Sequence, residues 1–315
     1  MSLIVIIPIG IFAIFALIIF MVFLRYIPLI ERNAFDVPRF QVPDQPKNSE
    51  GLKIRNIQIP YDTRCAIEAK YIKSRKPSKK LVVFCHETGA DLDSWQKHAH
   101  FLPDDEVDVL TFNFKLLSLR PKSESVDEKY FQWPTVRDLR CLERVLSWVA
   151  VEKKDYEVAL FGVSKGATVA AAAAPSPIIK SVLLDGAFST HMTMQKYMKK
   201  FVNIYVSPRS YVAIIPDWIY LILSYMTLAY ASIKNRLRFF SMENFIPKLR
   251  KPVFMIHAGK DYHVQLDHVQ RLMSIIPGST DLWVAEKAGH SETVLKYPQE
   301  YNQRITSFLK KTLND

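Results

Sequence analysis

The chain has 315 residues, 49% of them apolar and 23% charged, enough to bury a core and far from the composition of a disordered chain. Its three cysteines, Cys65, Cys85 and Cys141, are too few and odd in number for a disulfide framework. The net charge is +11; residues 187–251 alone carry ten basic and two acidic side chains, interleaved with apolar runs rather than base-stacking patterns, which favours an anionic lipid surface over nucleic acid as partner.

Residues 3–24 contain no charged side chain and are almost wholly Ile, Leu, Phe, Val, Met and Ala. At 1.5 Å per residue they would cover roughly 30 Å, the thickness of a bilayer core. Pro8 and Gly10 are tolerated in such helices. No basic residue precedes the run and Phe23, Leu24, Arg25 and Tyr26 follow it, which argues against a cleaved signal peptide. Residues 1–30 are therefore expected to be a single-pass transmembrane anchor. Arg25, Arg32, Arg39, Lys47, Lys53 and Arg55 all lie after it, so the domain leans to the cytoplasm. Pro38, Pro43 and Pro46 mark residues 31–51 as a linker.

From residue 52 to 315 strand and helix patterns alternate. Residues 53–59 and 67–72 alternate apolar and polar side chains, as a half-buried antiparallel pair does. Continuous apolar runs at 81–85, 107–112, 158–163, 181–184, 253–257 and 282–285 predict buried parallel strands. Helical patterns at 135–150 and 298–313 complete one doubly wound α/β domain. About 65 residues between Asp185 and Pro252 carry no strand signal, and 187–251 is expected to be a helical cap. Its uncharged run 218–233 sits between Lys199, Lys200 and Arg209 on one side and Lys234, Arg236 and Arg238 on the other. That run reads as a buried cap helix, as an interfacial patch on an anionic membrane, or as a short second span.

The chemistry concentrates at strand ends. The run 158–163 leads into Gly162-Val163-Ser164-Lys165-Gly166 and then into an alanine-rich helix. A serine on such a strand-to-helix turn is exposed as a nucleophile, and the glycines permit close packing around it. A plain helix N-cap serine is the competing reading. A serine nucleophile needs a base and an orienting carboxylate, in the chain order Ser, acid, His. Asp261 and His290 follow the strands 253–257 and 282–285 and supply that order. Asp185, also at a strand end, is the rival acid. His98-Ala99-His100 has no carboxylate at ligand spacing, so no metal site is expected. The amides of Lys165 and Thr88 are the expected oxyanion donors. Six of the nine glycines (Gly89, Gly162, Gly166, Gly186, Gly259 and Gly289) fall in the loops that would converge on this site.

His86-Glu87-Thr88-Gly89, Gly162-Val163-Ser164-Lys165-Gly166, Gly259-Lys260-Asp261 and Gly289-His290 together resemble the α/β-hydrolase superfamily over roughly residues 52–313. In particular they look like membrane-anchored, serine aminopeptidase-like α/β-hydrolase-domain proteins. The resemblance implies an eight-stranded, mostly parallel sheet with helices on both faces and no cofactor. Hydrolysis of acyl esters, lipid-like ones in view of the expected anchor and apolar cap, is the activity expected. Amide, peptide or thioester hydrolysis and a silent scaffold are the alternatives. Two features depart from the family pattern: Glu87 stands where glycine is usual, and 114–118, expected as a loop, lacks the usual glycines.

Overall fold

The computed structural model describes residues 17, 21, 25–32, 35, 51–119, 131–205 and 215–313. These belong to two compact units. One, residues 38–190 and 238–315, holds every strand among the described residues; the other joins residues 1–37 to 191–237. The interval 187–251 is thus shared between them.

In the first unit eight strands form one sheet: β1 (Lys53–Pro60), β2 (Cys65–Lys73), β3 (Lys80–Cys85), β4 (Asp108–Ser118), β5 (Glu157–Val163), β6 (Ile179–Asp185), β7 (Val253–Ala258) and β8 (Thr280–Ala285). Their order is β1-β2-β4-β3-β5-β6-β7-β8. The two pairings that involve β2 are antiparallel and all others are parallel. The central strands β3, β5 and β7 are apolar without alternation because both of their faces are covered. Edge strand β1 is largely exposed and carries Lys53, Arg55 and Pro60, residues that discourage edge-to-edge pairing.

Helices cover both faces: α1 (Trp95–His98), α2 (Val136–Glu152), α3 (Lys165–Ala173), α6 (Leu266–Ser274), α7 (Thr293–Lys296) and α8 (Pro298–Thr312), with α4 (Thr190–Tyr205) and α5 (Asp217–Asn235) in the insertion. On one face Val82, Phe84, Ala159, Phe161 and Leu183 pack with Tyr301, Ile305 and Leu309 of α8. The alternate strand residues Leu81, Val83, Leu160 and Leu184 are buried on the other. Thr135 starts α2 with a capping box: its side chain accepts from the Asp138 amide, and the Asp138 carboxylate accepts from the Thr135 amide.

Strand β4 is longer than its apolar run predicts. Residues 114–118 continue it, pairing Leu116, Leu117 and Ser118 with Ile67, Ala66 and Cys65 beyond a register shift between Ile67 and Ala69. With no glycine or proline to break the ladder, the stretch expected as a loop stays strand.

The second unit contains α4 (Thr190–Tyr205, from its second residue) and α5 (Asp217–Asn235), with helical backbone at 25–32. Glu31 is 2% exposed and accepts from Lys234 Nζ at 2.5 Å. Along α5, Tyr220, Leu223, Ser224, Thr227, Leu228 and Ala231 are buried, whereas Trp218, Leu221, Ile222, Tyr225 and Ile233 are exposed.

Among the described residues no helix is long and apolar enough to cross a membrane. This overturns the expectation of a single-pass membrane protein with a cytoplasm-leaning domain. The uncharged part of α5, 218–233, reaches only about 24 Å against the ~30 Å of a bilayer core, and Asp217 and Lys234 bound it. Residues 3–24, where the anchor was expected, lie outside the described residues except for Leu17 and Met21.

Helix α3 lies so close to the sheet that a methyl group at Gly166 would stand 2.1 Å from the carbonyl oxygen of Cys85 and 2.5 Å from that of His86. Both obstacles are backbone, so neither can swing aside. Gly166→Ala is expected to destabilise the sheet-bearing unit by about 3 kcal/mol, the upper end of ordinary overpacking; a drop in the urea unfolding midpoint at unchanged slope would show it, and an unchanged midpoint would contradict the packing.

Candidate active site

Strand β5 ends at Val163 and α3 begins at Lys165, leaving Ser164 alone to make the turn. Its backbone takes φ +52° and ψ −117°, an arrangement that costs a non-glycine residue about 1–3 kcal/mol. The Ser164 amide donates to the Asp185 carbonyl at 2.7 Å, and its carbonyl accepts from Thr168 at 3.2 Å. The turn presents the hydroxyl at the carboxyl ends of the parallel strands, where open α/β sheets place their ligands.

Ser164 Oγ lies 2.8 Å from His290 Nε2, and His290 Nδ1 lies 2.5 Å from Asp261 Oδ2. The three residues, 126 and 29 positions apart in sequence, form one hydrogen-bonded line. The Asp261 side chain is fully buried, and its other oxygen accepts from the amides of His263 at 2.7 Å and Val264 at 3.0 Å. Burial alone would raise its pKa; the His290 hydrogen bond and those two amides outweigh burial and hold the carboxyl below its ordinary range. Burial likewise works against charge on His290. The Asp261 hydrogen bond and the charges of Asp261, Asp185 and Glu87 win, so the imidazole is more basic than usual.

Asp185 sits beside this line without joining it. It is buried and accepts from Tyr301 Oη at 2.8 Å; burial pushes its pKa up, against the pull of His98, Tyr301 and His290. Between it and the imidazole comes Gly186, at φ +67°, where an added methyl would meet His290 Cε1 at 3.3 Å.

Of the expected oxyanion donors, Lys165 directly follows the serine and Thr88 lies on the loop after β3. Lys165 opens α3, where backbone amides lack intrahelical partners. Its ammonium is buried, paired with Asp138 at 3.3 Å and 5.2 Å from the centre of the Phe114 ring. The loop after β3 carries Thr88, whose hydroxyl donates to the Gln132 carbonyl at 3.3 Å. The buried His86 ring accepts from the Phe114 amide at Nε2 (3.4 Å) and therefore donates from Nδ1 to the Glu87 carbonyl at 2.8 Å. Carbonyl and following N–H point oppositely across a trans peptide, so this bond turns the Thr88 N–H away from the His86 ring.

Spacing alone did not reveal a second polar cluster. Glu87 accepts from Ser94 Oγ at 2.6 Å, with His98 Nε2 at 3.4 Å and Lys97 Nζ at 3.9 Å. His98 Nδ1 lies 3.4 Å from Tyr301 Oη, which reaches Asp185. The glutamate in a glycine's place was the one sequence signal for it. Among the described residues no group of three His, Cys, Asp or Glu side chains could hold a metal ion.

No protein-family model and no curated protein matches the sequence. Solved structures do match its fold. An esterase of Pyrococcus furiosus superposes with a TM-score of 0.63 at 19% identity, over 89% of this chain and 98% of that one. This is the α/β-hydrolase fold. A dienelactone hydrolase of Anabaena variabilis gives 0.57 at 12% identity over 84% and 99% of the two chains. An acylaminoacyl peptidase of Pyrococcus horikoshii gives 0.55 at 12% identity over 85% of this chain and 43% of that one.

The electrostatics of the hydrolase-fold site give a measurable ranking. The His290 imidazole, followed by NMR of its ring carbons, is expected to titrate above the ordinary 6.5. Asp261→Asn should bring that midpoint down further than Asp185→Asn, because the charge it removes is the one hydrogen-bonded directly to Nδ1. The opposite ranking would transfer the orienting role to Asp185.

Proposed function

We propose that this protein is a serine hydrolase that cleaves carboxylic esters of apolar, lipid-like acyl groups through an acyl-enzyme on Ser164. One observation carries the reading: the line from Ser164 Oγ through His290 to the buried Asp261, at 2.8 and 2.5 Å. In this mechanism His290 Nε2 takes the hydroxyl proton as Ser164 Oγ attacks the acyl carbonyl. Asp261 keeps Nδ1–H in place and stabilises the imidazolium. The amides of Lys165 and Thr88 hold the oxyanion. His290 returns its proton to the leaving alcohol, and water, deprotonated by the same imidazole, releases the acid and restores the serine.

An ester is favoured over a peptide with a free amino terminus by the state of the acids in the insertion. Between 187 and 251 the only two are Asp217 and Glu243. Asp217 pairs with Lys199 at 2.8 Å, and Glu243 accepts from the hydroxyls of Ser189 and Ser241. Neither offers an uncommitted carboxylate for an ammonium group.

A fluorophosphonate probe should label the wild-type protein and fail to label Ser164→Ala. His290→Ala should lose roughly 10⁴–10⁶ in turnover, with the double variant scarcely worse, because such residues act as a unit. Esters of graded chain length should be cleaved faster as the acyl chain grows. Labelling that persists in Ser164→Ala would remove the nucleophile, and a flat chain-length profile would remove the lipid-like substrate.

A further inference from the structure

Glu87 stands at the centre of the second polar cluster, on the loop that carries the Thr88 amide. Its side chain is 16% exposed, and its three partners all come from one short segment: the hydroxyl of Ser94, the ammonium of Lys97 and the imidazole of His98. The same segment reaches two other loops of the site. Lys97 Nζ donates to the carbonyl of Ser291 at 3.3 Å, next to the base His290, where Ser291 takes φ +57°. His98 Nδ1 lies 3.4 Å from the Tyr301 hydroxyl, which donates to Asp185 at 2.8 Å, beside Gly186 and the imidazole. The loop of Thr88, the loop of His290 and the end of β6 are therefore joined through residues 94–98, and the Glu87 carboxylate ties the first of them in by side-chain contacts, beside the backbone bond from the Ser94 amide to the Asp91 carbonyl at 3.1 Å.

We infer that Glu87 is a positioning residue for the ester chemistry, its carboxylate seating the Thr88 amide on the 94–98 segment that also braces the His290 loop. The inference rests on the reading of Ser164 as nucleophile. A glycine here, as the family pattern has it, would leave the loop without this tether. His86 holds the carbonyl of the same residue, so both ends of Glu87 are fixed, and with them the peptide plane that bears the Thr88 N–H. Charge agrees with geometry. Burial would raise the Glu87 carboxyl, but His98, Ser94 and Lys97 outweigh it and hold the group well below the carboxylate range, so it stays an anion. That anion also acts on His290 with Asp261 and Asp185, against burial. Among the described residues, other ionisable groups near the imidazole include His263, whose ring centre is 5.7 Å away, His257 on β7, and Glu292, which accepts from the amide of the adjoining Gly289 at 3.2 Å.

The test uses a soluble ester and the Ser164-dependent part of its turnover. Glu87→Gln keeps the length of the side chain and removes its charge. It should lower kcat about tenfold, part of the roughly hundredfold that a 1 Å misplacement costs, with KM changed less than twofold. The acid limb of kcat/KM should move to lower pH, since His290 loses a neighbouring anion and remains neutral further into acid. Glu87→Asp should restore the acid limb and recover part of kcat. Ser94→Ala, which leaves the carboxylate and removes its 2.6 Å partner, should lower kcat about threefold at constant KM and covers the case of a Gln variant that fails to fold. Wild-type kcat and an unmoved acid limb in Glu87→Gln would overturn the inference, as would loss of stability with kcat and KM falling together. A wild-type protein without Ser164-dependent turnover would overturn the ester reading and this inference with it, whereas turnover indifferent to Glu87 overturns the inference alone.

Discussion

Everything at the site depends on how near α3 comes to the carboxyl end of the sheet. The turn at Ser164 must reverse the chain within one residue, and it does so at a φ that side chains rarely adopt. A strained turn persists only where its surroundings over-determine it. Here the amide of Ser164 is held by Asp185, and α3 is buried at every position from Lys165 to Ala173. Alanine and glycine make that burial sterically feasible: Gly166 faces the Cys85 and His86 carbonyls at a distance no Cβ can occupy. The approach brings the first amide of α3 and the loop after β3 to the same place, and those are the two sources an oxyanion pocket at this serine would draw on.

The second constraint is electrostatic. Three carboxylates, Asp261, Asp185 and Glu87, act on one imidazole whose burial opposes its charge. They are not equivalent, because their partners differ. Asp261 has two backbone amides and His290 itself. Glu87 has a hydroxyl and two basic side chains, which keep it ionised. Asp185 has, among the described residues, the Tyr301 phenol as its side-chain hydrogen-bond partner, and burial raises its pKa above the ordinary carboxylate value. A buried charge needs partners to remain a charge. The ordering of these three acids follows from how many polar neighbours the fold gives each, without reference to their distance along the chain.

Much of the sheet was legible because its signal is local and strong. Unbroken apolar runs such as Val253-Phe254-Met255-Ile256 admit few readings other than a strand buried on both faces. The residues Ser164, Asp261 and His290 could be singled out because each follows such a run in the chain order a serine nucleophile requires. What escaped was non-local. Residues 114–118 carry no strand signature of their own; their pairing with Cys65, Ala66 and Ile67 decides the matter. The Glu87 cluster draws on residues 87, 94, 97, 98, 185 and 301, and nothing in their spacing says they meet. The 3–24 run shows the limit of composition, since an apolar stretch of the right length states a capacity to span a bilayer and not a location.

The insertion is tied down where it leaves the sheet-bearing unit and where it returns. Its stem is pinned on the sheet-bearing side. Thr190 donates to the Phe240 carbonyl at 2.6 Å, its amide to Ser241 Oγ at 3.1 Å, and Ser189 and Ser241 share the Glu243 carboxylate. The returning chain is bound again where Val136 donates to the Arg238 carbonyl at 2.7 Å and Phe239 bridges Thr135. With both ends fixed this way, extending the intervening segment costs only the slowly growing entropy of closing a longer loop. The outgoing strap is not passive, however. Thr168 Oγ1 both donates to the Phe188 carbonyl at 3.0 Å and accepts from its amide at 3.2 Å, joining the stem to α3, the helix that begins beside Ser164. One of the two acids in the insertion, Glu243, is thereby spent on structure.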